Sequence, residues 1–160
     1  MKVVSDTSPL CYLVLIDLID LLPNLYNRVI IPSAVFDELS ASQAPEPVQT
    51  WIANPPDWLE TRIVESSPDI ELIELDLGEQ EAITLAETIG ADLLVLDDKA
   101  ARKIASERGL RIIGLLGILG VGVKRGLVDF STAIEGLQQT NFRVSPTLLK
   151  SLLERYQDTE

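Results

Sequence analysis

The sequence predicts an α/β protein, a three-layer α/β/α sandwich with a mainly parallel sheet. Two observations carry this reading: short β-rich runs alternate with helical ones, and helix-start signals stand directly where the strand-like runs end. A crossover helix after each strand is what brings successive strands into parallel register.

The elements follow in order. Val3-Val4 is the first strand, and Ser8-Pro9 supplies an N-cap and a first-turn proline to the helix after it. Val29-Ile30-Ile31 is the second strand, with Pro32-Ser33 opening a helix that carries Val35, Phe36 and Leu39. Residues 43–56 hold four prolines around Val48–Ile52, which reads as a short helix in an irregular excursion, followed by an edge-like strand over Leu59 to Val64. Apolar spacing and glycine stops then predict a helix from about Gly78 to Ile89, one from about Lys99 to Arg108 closed by Gly109, and one from Leu115 to Lys124 closed by Gly126. Strands Leu93–Leu96 and Leu110–Ile113 alternate with them. In the tail, Asp129 can cap a helix carrying Ala133, Ile134 and Leu137, and Ser145-Pro146 opens another carrying Leu148, Leu149, Leu152 and Leu153.

With 160 residues the chain is expected to be a single domain over 1–160, with 127–160 a C-terminal helical extension packed on it. The longest uncharged apolar stretch, Ile112 to Val123, is 12 residues with four glycines, short of the roughly 20 a membrane span needs. No signal-peptide pattern is expected at the N-terminus, and the single cysteine, Cys11, reads as a buried small hydrophobe in a reducing compartment. A cytoplasmic protein without membrane contact is the expectation.

Thirteen Lys and Arg stand against 25 Asp and Glu, a formal charge of −12. Any contact with a polyanion must therefore be local rather than driven by bulk attraction. The densest basic stretch is Lys99, Arg102, Lys103, Arg108 and Arg111, a solvated helix face on its plainest reading. The glycine-rich run from Gly117 to Gly126 lacks the Gly-Lys-Ser/Thr ending of a phosphate loop and the third glycine of a dinucleotide fingerprint, so close helix packing explains it better.

The chain contains no histidine, which removes the commonest general base, the Ser-His-Asp and Cys-His nucleophiles, and histidine-ligated zinc. Carboxylates remain, and oxygen-only ligands suit Mg2+ or Mn2+. Asp6 ends the first strand, and Asp97 and Asp98 end a later one, at the edge where open α/β sheets bind ligands. Asp98 also stands where it can cap the following helix. At 100° per residue, Glu38 flanks the buried arc of its helix while Asp37 points away, and Glu79 falls inside the apolar arc of the next long helix while Glu81 falls outside. A charge on an apolar face needs a partner or a metal.

These acids and their contexts resemble the PIN domain, and in particular the small prokaryotic proteins related to VapC-type toxin ribonucleases. The matching stretches are Val3–Leu10, Ile31–Leu39, Gly78–Ile83, Leu94–Arg102 and Gly109–Gly114. The resemblance implies a PIN-like α/β/α fold and divalent-metal cleavage of RNA, with Asp6, Glu38, Glu79 and Asp97 as catalytic acids. Asp6, Asp97 and Asp98 are the expected metal ligands. Val95 and Leu96 stand where several PIN proteins carry Ser or Thr before the strand-end acid, which leaves the choice between Asp97 and Asp98 open. Ser8, Lys99 and Arg102 are the expected substrate contacts. The resemblance also raises the possibility of a toxin paired with a small antitoxin protein, and the apolar tail predicts a homodimer. A catalytically silent protein-binding module and a magnesium-dependent phosphatase are the competing readings.

Overall fold

A computed structural model describes residues 1–65 and 69–157; the last three residues of the expected C-terminal extension, 158–160, lie outside them. The strands are β1 (Val3–Ser5), β2 (Val29–Pro32), β3 (Leu59–Arg62), β4 (Leu93–Val95) and β5 (Ile112–Ile113). They form one all-parallel sheet in the order β3-β2-β1-β4-β5, with Val4 beside Ile30 on one side and beside Leu94 on the other. Successive residues of each strand face opposite layers, as the period of two requires. Val3, Val29, Ile31 and Val95 enter one core, and Val4, Ile30 and Leu94 enter the other.

The first layer holds α1 (Thr7–Leu15), α2 (Leu21–Tyr26), α3 (Ser33–Ser40) and α4 (Glu46–Ala53). The second is built from α5 (Leu77–Ile89) and α6 (Lys99–Glu107), preceded by a 3-10 turn at Ile70–Leu72. The last helices, α7 (Leu115–Lys124), α8 (Phe130–Gln138) and α9 (Pro146–Gln157), return to the first layer, where Leu115, Ile118, Leu119, Phe130, Ile134 and Leu137 are buried. Helices thus cover both faces of the sheet, giving the three-layer α/β/α sandwich. Leu149, Leu152 and Leu153 of α9 are partly buried against the same core, whereas Leu148 is exposed.

Several local expectations change. Helix α1 starts one residue before Ser8: extended Asp6 takes the N-cap position, and Pro9 is the third residue of the helix. Helix α3 likewise starts at Ser33 after extended Pro32, and its N-terminus is closed from outside by Glu81. Strand β4 stops at Val95, although Leu96 N–H still reaches the Ile113 carbonyl, and β5 shrinks to two residues. Asp129 stands at the N-cap of α8, but its carboxylate accepts from the Thr132 hydroxyl instead of a backbone N–H. Helix α2 carries no periodic signal long enough to read and emerges only from packing Leu21 and Leu22 into the core. The glycines of α7 serve packing: Gly120 faces the Tyr156 side chain, and Gly122 faces Val128 and Leu21.

Candidate active site

The connection reverses direction between β1 and β4. From β1 the chain builds outward through β2 and β3, then crosses back to place β4 on the other flank. Such a switch point leaves a crevice at the carboxyl ends of the two strands. Asp6 follows the last residue of β1, held there by its N–H to the Val95 carbonyl at 3.0 Å, and Asp97 lies two residues beyond β4. The crevice is a cleft of about 560 Å3 whose acids are Asp6, Glu38, Asp76, Glu79, Asp97 and Asp98.

Asp6 is only 4% exposed, and its Oδ1 is buried without a hydrogen-bond partner. Burial first, and then the charges of Asp76, Glu79 and Glu38, push its carboxyl up to about 8 against the lowering effect of the Thr7 N–H. Carboxylate oxygens of Asp6, Glu38 and Asp76 lie within 4.8 Å of one another. Glu38 is held in place by the Thr7 hydroxyl, which donates to its Oε1 at 2.8 Å, and by the Gly78 N–H; its carboxyl is raised chiefly by desolvation. A Cβ at position 78 would collide with that carboxylate, so glycine is what lets α5 approach α3 here.

Asp76 and Glu79 form a capping box at the start of α5: Glu79 N–H donates to Asp76 Oδ1 at 2.8 Å, and Asp76 N–H to Glu79 Oε1 at 3.2 Å. Glu79 is buried, and desolvation followed by the Asp76 charge raises it to about 7. Asp97 accepts from the Leu115 N–H at 3.0 Å through Oδ1, while its buried Oδ2 has no partner. Burial raises its carboxyl, opposed by that N–H and by Arg102.

A family model described as a PIN domain matches residues 2–158. The chain belongs to the PIN-domain family. No curated protein and no solved structure matches it. PIN domains are generally nucleases, and the acid cluster of this one is compatible with metal binding.

Within this PIN domain the structure sorts the expected residues. Asp6, Glu38, Glu79, Asp97, Asp98 and Ser8 line one cleft. Asp98 is exposed, and its Oδ2 accepts from the Ala101 N–H at 3.0 Å as the cap of α6, whereas the unpartnered oxygen belongs to Asp97. Lys99 is exposed on α6, and Arg102 lines a neighbouring cavity instead of the acid cleft. Glu81, outside the buried arc, turns to α3 and accepts from the Ala34 N–H at 3.0 Å. Asp76 was missed: it lies two residues before the motif that starts at Gly78, yet Asp76-x-x-Glu79 is a capping-box signature readable in sequence. Cys11 is half-buried, packed against the first core and also on the wall of the cleft. Tyr12 and Asn141 also line it, joined by a 2.6 Å hydrogen bond that ties the connection between α8 and α9 to α1; only the tertiary fold could bring that pair together.

Proposed function

We propose that this PIN domain is a metal-dependent endoribonuclease that uses Mg2+ or Mn2+. The observation that carries the proposal is the buried Asp6 oxygen without a partner, set among the oxygens of Glu38 and Asp76. A buried carboxylate kept for stability is paired or hydrogen-bonded, so a set of converging acids with one oxygen unsatisfied fits a hard cation.

Asp6, Glu38 and Asp76 would hold the metal, with Asp97 adding an oxygen from the other side of the switch point. The chemistry such a divalent ion would supply there is polarisation of the scissile phosphate and a lowered pKa for a water used in in-line attack. The protein's own part is placement. Thr7 and the Gly78 N–H fix the Glu38 rotamer, the Leu115 N–H fixes Asp97, and the capping box holds Asp76 and Glu79 in one orientation. Glu79 acts through Asp76. Ser8, half-buried on the cleft wall, offers its hydroxyl to the substrate, and Lys99 and Arg102 offer cations to the RNA backbone. Asp98, already engaged at the α6 N-terminus, orients this edge of the cleft rather than leading the ligand set.

The same proposal places the protein in the cytoplasm as the toxin of a toxin-antitoxin pair, a homodimer that meets a small antitoxin protein. The family relation and the lone cysteine support it. No described helix is long and apolar enough to cross a membrane.

Incubation of the purified protein with single-stranded RNA tests the reading. Cleavage is expected in magnesium or manganese and is expected to stop on chelation. Asp6→Asn and Asp97→Asn should each lower it on the order of 100-fold, and exposed Glu135→Gln on α8 should leave it unchanged. Equal cleavage by all preparations, or hydrolysis of small phosphate esters alone, would overturn the assignment.

A further inference from the structure

Asp97 is a wall shared by two cavities. On one side lies the acid cleft; on the other is a cavity of about 370 Å3 between β5, the start of α7 and α9. The two differ in charge. The acid cleft has six carboxylates and no Lys or Arg among its described lining residues, whereas the second cavity has two arginines, Arg102 and Arg155, and no acid besides Asp97.

Two cations in one cavity are notable in a chain with 13 basic residues against 25 acids. Arg28, Arg62 and Arg108 are in close ion pairs with carboxylates, whereas among the described residues Arg155 is in no such pair and Arg102 faces Asp97 without closing one, lowering that carboxyl through charge alone. Arg102 donates only a long 3.4 Å hydrogen bond to the Leu96 carbonyl, and the Arg155 guanidinium lies 5.7 Å from the centre of the Tyr156 ring. A guanidinium carries several donors suited to two oxygens of one phosphate. Gly114 lets Asp97 and Arg102 converge on the wall between the two cavities: a Cβ there would strike both Asp97 Oδ1 and Arg102 Nη1. The remaining wall is apolar, with Ile113, Leu152 and the Tyr156 ring among its members, and the volume falls in the small-molecule range of about 300–1,000 Å3.

We propose that this second cavity is a nucleotide subsite, in which Arg102 and Arg155 bind the phosphate and the apolar wall takes the base or ribose of the residue next to the scissile bond. The inference rests on the nuclease reading for its role in cleavage. It resolves the charge problem of an acidic protein on a polyanion by confining attraction to one phosphate beside the metal acids. It also gives α9 a part in substrate binding, since Arg155 is the cavity's cation from that helix.

Binding can be read without catalysis. The full chain is titrated in EDTA with uridine and adenosine 5′-monophosphates and with inorganic phosphate, by calorimetry or 31P NMR. A nucleoside monophosphate should bind more tightly than inorganic phosphate. Arg155→Ala should weaken that binding about tenfold, Arg155→Lys less, and the melting temperature should not move because Arg155 is exposed. On RNA, the same variant should raise KM with little change in kcat. No binding of either nucleotide, equal affinity for inorganic phosphate, or nucleotide affinity unchanged in Arg155→Ala would overturn the subsite, even where RNA is cleaved. Arg155-dependent nucleotide binding by a protein that cleaves no RNA would uphold the subsite and sink the nuclease reading instead.

Discussion

At the scale of single residues, Asp6 is where stability and function oppose each other. Its carboxyl stands at about 8 because burial and three neighbouring acids disfavour the charged form, against about 3.9 in an unfolded chain. Between those values the native state holds the extra proton, so the Asp6 contribution to metal-free stability is most favourable below about pH 4 and is lost as pH rises toward about 8. Asp6→Asn removes this penalty. Without metal the variant should melt above wild type at pH 8, by ~1 kcal/mol or more in stability, and the gap should close toward pH 4. Magnesium should then raise the wild-type melting temperature through selective binding to the folded state, with much less effect on the variant. Thermal melts of both proteins at two pH values, with chelator and with millimolar magnesium, check this; destabilisation of Asp6→Asn under all four conditions would make Asp6 a structural residue.

At the scale of elements, the site depends on contacts between helices that are distant in sequence. Glu81 of α5 receives the Ala34 N–H and, at 3.4 Å, the Ser33 hydroxyl, and so caps the helix that carries Glu38. Glu81→Ala should cost about 1 kcal/mol, the usual loss for a missing N-cap, measured by urea denaturation. Activity should survive better than in Asp6→Asn because no metal oxygen is removed. Gly114→Ala acts differently: its methyl would push Asp97 and Arg102 apart. Overpacking of this kind costs roughly 1–3 kcal/mol, and here cleavage should fall further than stability alone accounts for. Arg108 on the far side bridges Asp69 at 2.8 Å, Glu87 at 2.8 Å and Glu71 at 3.5 Å, pinning the 3-10 segment to α5 and α6. Arg108→Ala should destabilise by about 1–2 kcal/mol, since it breaks a network rather than one exposed pair, without changing metal affinity.

Across the whole molecule, net charge sets how RNA is met. A formal charge of −12 repels a polyanion at long range, and few local cations leave few counterions to release. With attraction confined to one phosphate, the slope of log K against log salt on single strands should be about −0.7. Fluorescence anisotropy of Asp6→Asn with labelled RNA at several salt concentrations measures it, and a slope several times steeper would mean a basic surface elsewhere. Among the described residues the exposed large hydrophobics Met1, Ile63, Ile70, Ile73, Leu77, Leu127 and Leu148 are the apolar surface available for the proposed homodimer. Light scattering at micromolar concentration should give twice the chain mass.

Much of this was legible along the chain. Alternating β-rich and helical runs implied a parallel sheet, because a strand buried on both faces must be apolar throughout and must be followed by a crossover. The absence of histidine pointed to carboxylates, and strand-end placement singled out Asp6, Asp97 and Asp98 without choosing between the last two. The sheet inference holds because it depends on local periodicity and residue type alone. The tertiary structure decided what depends on distance. It brought Asp76 to Asp6 and Glu38, turned Glu81 from a bystander into the cap of α3, gave the unpartnered oxygen to Asp97 and a capping role to Asp98, and carried Arg155 from the chain end to the edge of the site. A helical period tells which side of its own helix a carboxylate takes, but not which atoms of another element wait there. That second fact is set only when the sheet closes and the helices dock.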